Sequence, residues 1–170
     1  LRGTIGVDVV RQGAPGGVTS VFLRGANSQH TKVLLDGIPL NDPSNASRLF
    51  DFSTLTTDNI ERIEVLKGPI SVLYGSGSTG GVVNVITRKS RFSDTPSLTA
   101  SVNPSYEESA DGFGMYERAD FSSQKFYIGV SQANRDYSDY RASDGLKIKN
   151  TGFRDRQTQV NLGIKLSPSH

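Results

Sequence analysis

One run of the chain, residues 61–87 with the sequence ERIEVLKGPISVLYGSGSTGGVVNVIT, constrains the fold most, because strand, turn, glycine loop and strand follow one another without a spacer. Ile63 and Val65 alternate with Arg62 and Glu64, the period-two pattern of a half-buried strand. Gly68-Pro69 then sets proline at a first helical position, where its missing N–H is no loss, and Gly75 stands where a helix C-terminus favours a left-handed residue. Val82-Val83-Asn84-Val85-Ile86-Thr87 is dense in β-branched side chains and reads as a second strand.

The glycines of this run also spell a literal G-x-G-x-x-G, Gly75-Ser76-Gly77-Ser78-Thr79-Gly80. A dinucleotide site needs a strand before that motif and a helix after it, so that helix N-terminal amides meet the pyrophosphate. Here a helical turn precedes and a β-rich segment follows, so the glycines read as tight backbone turns. A P-loop lysine and a G-x-S-x-G elbow are both missing from the sequence. With no cysteine, and with His30 and His170 far apart, no zinc site is expected. Asp136, Asp139 and Asp144 fall in one polar stretch and are oxygen donors suited to calcium, but they lack EF-hand spacing and read first as solvated acids. Neither a metal nor a cofactor is therefore expected.

Composition narrows the classes further. The 19 basic and 17 acidic residues nearly balance, so a nucleic-acid partner is not indicated. No apolar run reaches the length of a membrane helix. That does not speak against a transmembrane β-barrel, whose alternating strands carry little hydropathy signal.

Several separate strings stand in a fixed order: Leu23-Arg24-Gly25, Leu34-Leu35-Asp36-Gly37, the segment from Glu61 through Pro69, Leu73-Tyr74-Gly75 and the glycine-led strand ending at Thr87. Together they resemble the plug domain of TonB-dependent outer-membrane receptors over residues 1–90. Gly6-Val7-Asp8-Val9 and Asp36-Gly37-Ile38-Pro39-Leu40-Asn41 bring the chain nearest to cobalamin receptors, and siderophore receptors carry similar strings. The family's proline before the first glycine is Ile5 here.

The resemblance implies a mixed α/β plug domain followed by antiparallel strands of a transmembrane β-barrel, the chain being a fragment of a plugged barrel of about 22 strands. It implies active, non-enzymatic uptake of a scarce large nutrient across the outer membrane of a Gram-negative bacterium, cobalamin first and a ferric siderophore as the alternative. TonB is the expected partner, through a segment outside this sequence, and outer-membrane lipid surrounds the barrel. The N-terminus shows none of the regions of a signal peptide, so the chain reads as a piece of a larger precursor.

After the plug, residues 91–96 read as a linker, and residues 97–170 as four strands. Leu98, Ala100, Val102 and Tyr106 share one face of the first. Phe113, Met115, Ala119 and Phe121 do so in the second, Phe126, Ile128 and Val130 in the third, and Val160, Leu162, Ile164 and Leu166 in the fourth. The connections are unequal, a short loop at residues 108–112, a tight turn at residues 122–123 and a long polar loop at residues 136–154, which suits outer-membrane barrels with short periplasmic turns and longer outer loops. The same alternation fits a soluble β-rich binding or adhesion module, which the strands alone would favour.

Two sets of site residues follow. Residues 18–24 and 32–35 read as a hairpin joined by residues 25–30, which sets residues 11–17 and 38–47 at its other end. By resemblance these loops form the apical floor on which ligand rests, with Arg11, Gln12, Asn41, Asp42, Ser44, Asn45 and Ser47 as polar contacts and Phe50 as an apolar one. Arg24, Arg62, Glu64 and Lys67 are the expected plug-seating charges, again by resemblance. Lys67 replaces the family's common arginine and lacks its bidentate fork.

Overall fold

The computed structural model describes residues 1, 3–13, 16–41, 50–68, 74–75, 77–108, 111–142 and 144–166. The chain divides into two compact units, Leu1–Thr87 and Arg88–His170.

In the first unit β1 (Val7–Arg11) and β2 (Thr19–Leu23) form an antiparallel pair. A second sheet holds β3 (Thr31–Leu35), β4 (Ile38–Pro39), β5 (Ile60–Lys67) and β6 (Gly81–Thr87) in the order β4-β3-β6-β5. Strand β3 runs parallel to β6, and the other two pairings are antiparallel. An internal strand covered on both faces has no side to give to water, which accounts for the unbroken Val82-Val83 of β6. Val7, Val21 and Leu23 of the first pair meet Val83 and Val85, with Val9, Leu35, Phe52, Ile63 and Val65 packed around them. Burying Leu23 completely contributes about 2–3 kcal/mol.

The hairpin expected between residues 18–24 and 32–35 does not form: β2 pairs with β1, and β3 lies in the other sheet. The physical reason is the turn at Arg24 and Gly25, both left-handed with φ of 52° and 73°. Arg24 donates its N–H to Gly6 O and Ala26 to Leu23 O, closing off the first sheet before a 3-10 turn at Ser28–His30 leads into β3. The helical turn expected after Gly68-Pro69 falls on residues 69–73, outside the described residues. In the glycine loop the Ser78 hydroxyl donates to Gly75 O at 2.7 Å, and β6 follows at once, leaving no helix for a dinucleotide. Gly81 has φ of 140°, and a Cβ there would lie 2.4 Å from Leu66 O, so only glycine fits.

The second unit is an antiparallel meander of β7 (Ser97–Glu107), β8 (Gly112–Ser122), β9 (Phe126–Tyr137) and β10 (Phe153–Ile164). Strands of 11 and 12 residues meet the ~9–11 needed to cross a bilayer at a tilt. Cross-strand register aligns Leu98, Phe121, Ile128 and Leu162, then Ala100, Ala119, Val130 and Val160, on one face. Val160, Leu162 and Ile164 are each about 60% exposed, whereas Arg118 and Ser131 on the opposite face are 6% and 4% exposed. A sheet in water buries its apolar face. Here the apolar face is the open one, as in a strand set that meets lipid.

Candidate ligand-facing surface and charge network

The connection between β1 and β2 is drawn tight before any ligand is considered. Gln12 donates its N–H to Val18 O at 2.9 Å, and the Thr19 hydroxyl donates to Gly17 O at 3.1 Å. Asp51 then joins this loop to a distant segment, accepting from Thr19 N at 2.8 Å and from Ser53 N at 2.9 Å. Phe50 and Phe52 meet edge to face at 5.1 Å. Because Arg11 pairs with Thr19 across the hairpin, this one carboxylate brings Arg11, Gln12 and Phe50 to one end of the first sheet. Arg11 and Gln12 are exposed there, and Phe50 is half-buried.

Asn41 has a different task. Its Oδ1 accepts from Val33 N at 2.7 Å, and its Nδ2 donates to Thr31 O at 3.3 Å. The carboxamide thus serves the β3 backbone just past the short strand β4. Asp42, Ser44, Asn45 and Ser47 lie outside the described residues.

Among the seating charges, Arg62 donates from Nε to Glu64 Oε1 at 2.8 Å and reaches Glu61 at 3.5 Å. Glu64 Oε2 accepts from Asn84 Nδ2 at 3.1 Å, and Asn84 Oδ1 accepts from Gly37 N at 3.2 Å. The Arg62 guanidinium, followed by the Asn84 amide, holds the Glu64 carboxyl below the usual carboxylate range. Lys67 donates its ammonium to Ile5 O. Arg24 is exposed at the left-handed turn, its stem beside Gly6.

Asp136 lies within β9 and Asp139 and Asp144 in the loop after it, and the three acids are each occupied separately. Asp136 accepts from Arg154 at 2.6 Å, Asp144 from Leu146 N at 2.9 Å, and Asp139 from both Thr151 N and Gly152 N at 3.1 and 3.0 Å. Among the described residues no group of three or more histidine or acidic side chains gathers for a metal. Sequence reasoning passed over Asp51, although Asp-x-Ser is an ordinary signal for a carboxylate that folds back on nearby N–H groups.

A plug-like sheet pair followed by an outward-apolar meander defines the beginning of a plugged outer-membrane barrel. Residues 1–82 match the model of the TonB-dependent Receptor Plug Domain, and the strands after them have the fold of the start of the barrels compared below. This is a non-enzymatic architecture of the Gram-negative outer membrane. The chain is similar to the copper transporter OprC at 19% identity and a TM-score of 0.73, covering 96% of this chain and 24% of that one. It is similar to the FrpB iron transporter from Neisseria meningitidis at 15% identity and a TM-score of 0.75, covering 96% and 25%. With the siderophore receptor PirA from Pseudomonas aeruginosa it shares 26% identity at a TM-score of 0.53, covering 87% and 25%. The chain thus spans about a quarter of the length of the solved structures it matches.

Proposed function

We propose that the chain is part of a TonB-dependent active transporter whose substrate is a ferric siderophore. The observation that carries the transport reading is the joining of a plug domain to strands whose apolar face is the exposed one. The siderophore reading is supported by the likeness to PirA at 26% identity. Cobalamin, expected from two short strings, has no counterpart among the relatives named above. Ligand rests on Arg11, Gln12 and Phe50, together with Asp42, Ser44, Asn45 and Ser47 of the same apical set. A cationic Arg11 suits an anionic ferric chelate. Asn41 is left out of this floor because its carboxamide is already taken by β3. Arg24, Arg62, Glu64 and Lys67 seat the plug against charges of the barrel wall.

Deleting the full-length gene should stop growth on a ferric siderophore as sole iron source, and deleting TonB should do the same. Growth unchanged in the first strain, together with lost uptake of labelled cobalamin, would return the ligand to cobalamin. A detergent-free soluble monomer for residues 1–170, unfolding in one transition through residues 98–166, would replace the transporter with a soluble β-module.

A further inference from the structure

The two faces of the meander treat charge differently. On the face opposite the apolar one, charges are settled within the unit: Arg118 pairs with Asp120 at 2.6 Å and Arg135 with Asp155 at 2.8 Å. Residues before β7 close over this face, the Ser90 hydroxyl donating to Asp120 and the Phe92 ring standing edge-on to Tyr127 at 5.0 Å.

The lipid-facing side changes character along the strands. Phe126 and Ile164 stand beside the short turn, and the two apolar rows through Phe121 and Ala119 follow. Next come the rows Glu117-Gln132-Thr158, Met115-Asn134-Arg156 and Phe113-Asp136-Arg154, toward the long loop. The eight strand steps from Ile164 back to Arg156 rise about 20 Å, at roughly 3.3 Å a residue and a tilt of about 40°. The apolar band of such barrels is about 25 Å tall, so Arg156 stands near its outer margin.

Arg156 donates from Nε to Asn134 Oδ1 at 3.0 Å, and Gln132 steadies that oxygen with a bond of 3.2 Å. Among the described residues no acidic side chain pairs with Arg156. Arg154 differs, giving Nε and Nη2 to Asp136 at 2.9 and 2.6 Å. These two outermost rows therefore carry one uncompensated positive charge. Phe113, Met115, Asn134, Asp136, Arg154 and Arg156 line a cavity of about 740 Å³, together with the mutually paired Arg135 and Asp155. A guanidinium facing hydrocarbon without an anion is costly. With Nε taken, Nη1 and Nη2 are the fork left for two oxygens of one phosphate.

We propose that Arg156 anchors a phosphorylated glycolipid of the outer leaflet on the outside of the barrel wall. Its fork takes the phosphate, Met115 and Phe113 pack beside the lipid, and Glu117, Gln132 and Thr158 meet the polar linkages of the acyl chains. The fork faces the bilayer at headgroup height, which favours a lipid over a free anion. The site lies opposite the face that lines the lumen and is independent of the transported substrate.

The full-length receptor, purified in detergent, is titrated with lipid A carrying its phosphates and with the same lipid after their removal, bound lipid being read by native mass spectrometry. The phosphorylated form should bind about tenfold more tightly, and equal affinities overturn the proposal. Arg156→Ala should weaken binding of the phosphorylated form about tenfold, as expected for loss of a charge-assisted pair. Arg156→Lys keeps the charge without the fork and should fall between. Lys149→Ala removes one positive charge from the long loop and should change nothing; a loss equal to that of Arg156→Ala would mean unspecific attraction and overturn the site. Displacement of the lipid by an equal concentration of inorganic phosphate would overturn the lipid as occupant. The comparison of the two lipids needs no variant, so it decides even where Arg156→Ala fails to assemble.

Discussion

Asp36 grips Thr87 twice, Oδ1 accepting the backbone N–H at 3.0 Å and Oδ2 the hydroxyl at 2.7 Å. Asp36 sits in the turn between β3 and β4 with φ of 51°, a left-handed position that aspartate tolerates better than most residues. The pair fastens the end of β6 to the turn that follows its parallel neighbour β3. The Leu-Asp-Gly string is thus a structural joint rather than a ligand contact.

Asp36→Ala should lower the stability of the plug by about 2–4 kcal/mol, from two lost bonds to a charged acceptor and a strained backbone. Asp36→Asn keeps one acceptor and the tolerance for positive φ, so it should lose about half as much. Urea titration of the plug transition in the detergent-solubilised receptor measures both. Equal losses would remove the second bond from the account.

Leu23→Ala should cost about 2–5 kcal/mol, because the side chain is wholly buried where the two plug sheets meet. Val10→Ala, on the exposed side of β1, should cost no more than about 0.5 kcal/mol. Thermal unfolding of the two variants side by side checks the placement of the core.

The Glu64 network predicts a pH dependence of definite sign. The carboxyl titrates below its ordinary value of 4.5 in the folded plug, so its contribution is complete above that pH and fades as the pH falls through the lowered value. The pair is exposed, so the effect should be small and weakened by salt. Stability measured between neutral and acid pH should show a step that Glu64→Gln removes; a step of the same size in the variant would assign it to another acid.

Gly163→Val should hinder barrel assembly, since a Cβ at that position would lie 2.3 Å from the Tyr127 ring, a strain of about 1–3 kcal/mol. Tyr127→Ala in the same chain should recover the heat-modifiable, folded band on a gel. Failure of that rescue would mean the glycine serves the backbone and not the ring.

On the proposed apical floor, Arg11→Ala and Gln12→Ala should weaken binding of the ferric siderophore to whole cells, with outer-membrane levels unchanged. Gln29→Ala, in the 3-10 turn before β3, should leave binding intact. Equal losses from both sets would detach the floor from the β1–β2 end of the plug.

The sequence made the strands legible where the pattern is local. Alternation from Leu98 to Leu166 identified the apolar face, and the β-branched run identified β6. Pairing partners were less legible: nothing in residues 18–24 says whether β1 or β3 lies beside them, since both offer apolar alternation. The parallel match of Val33 to Val83 joins residues fifty apart and leaves no local trace. Phe92 looked like linker because small polar residues and Pro96 follow it. A signal was nonetheless present in Gly129 and Gly163, as isolated glycines inside a strand mark a close approach by another group. The floor was legible only as loops, because Asp51, which gathers Arg11 and Phe50, acts across 32 residues of sequence.

Asp139 closes the neck of the loop between β9 and β10, tying both Thr151 and Gly152 back to the end of β9, with Tyr140 N–H bonded to the Thr151 hydroxyl. This isolates the tip mechanically from the strands below. Substitutions at the tip that spare these neck bonds should leave the register of Tyr137 with Phe153 undisturbed, so the tip can vary while the wall keeps its shape.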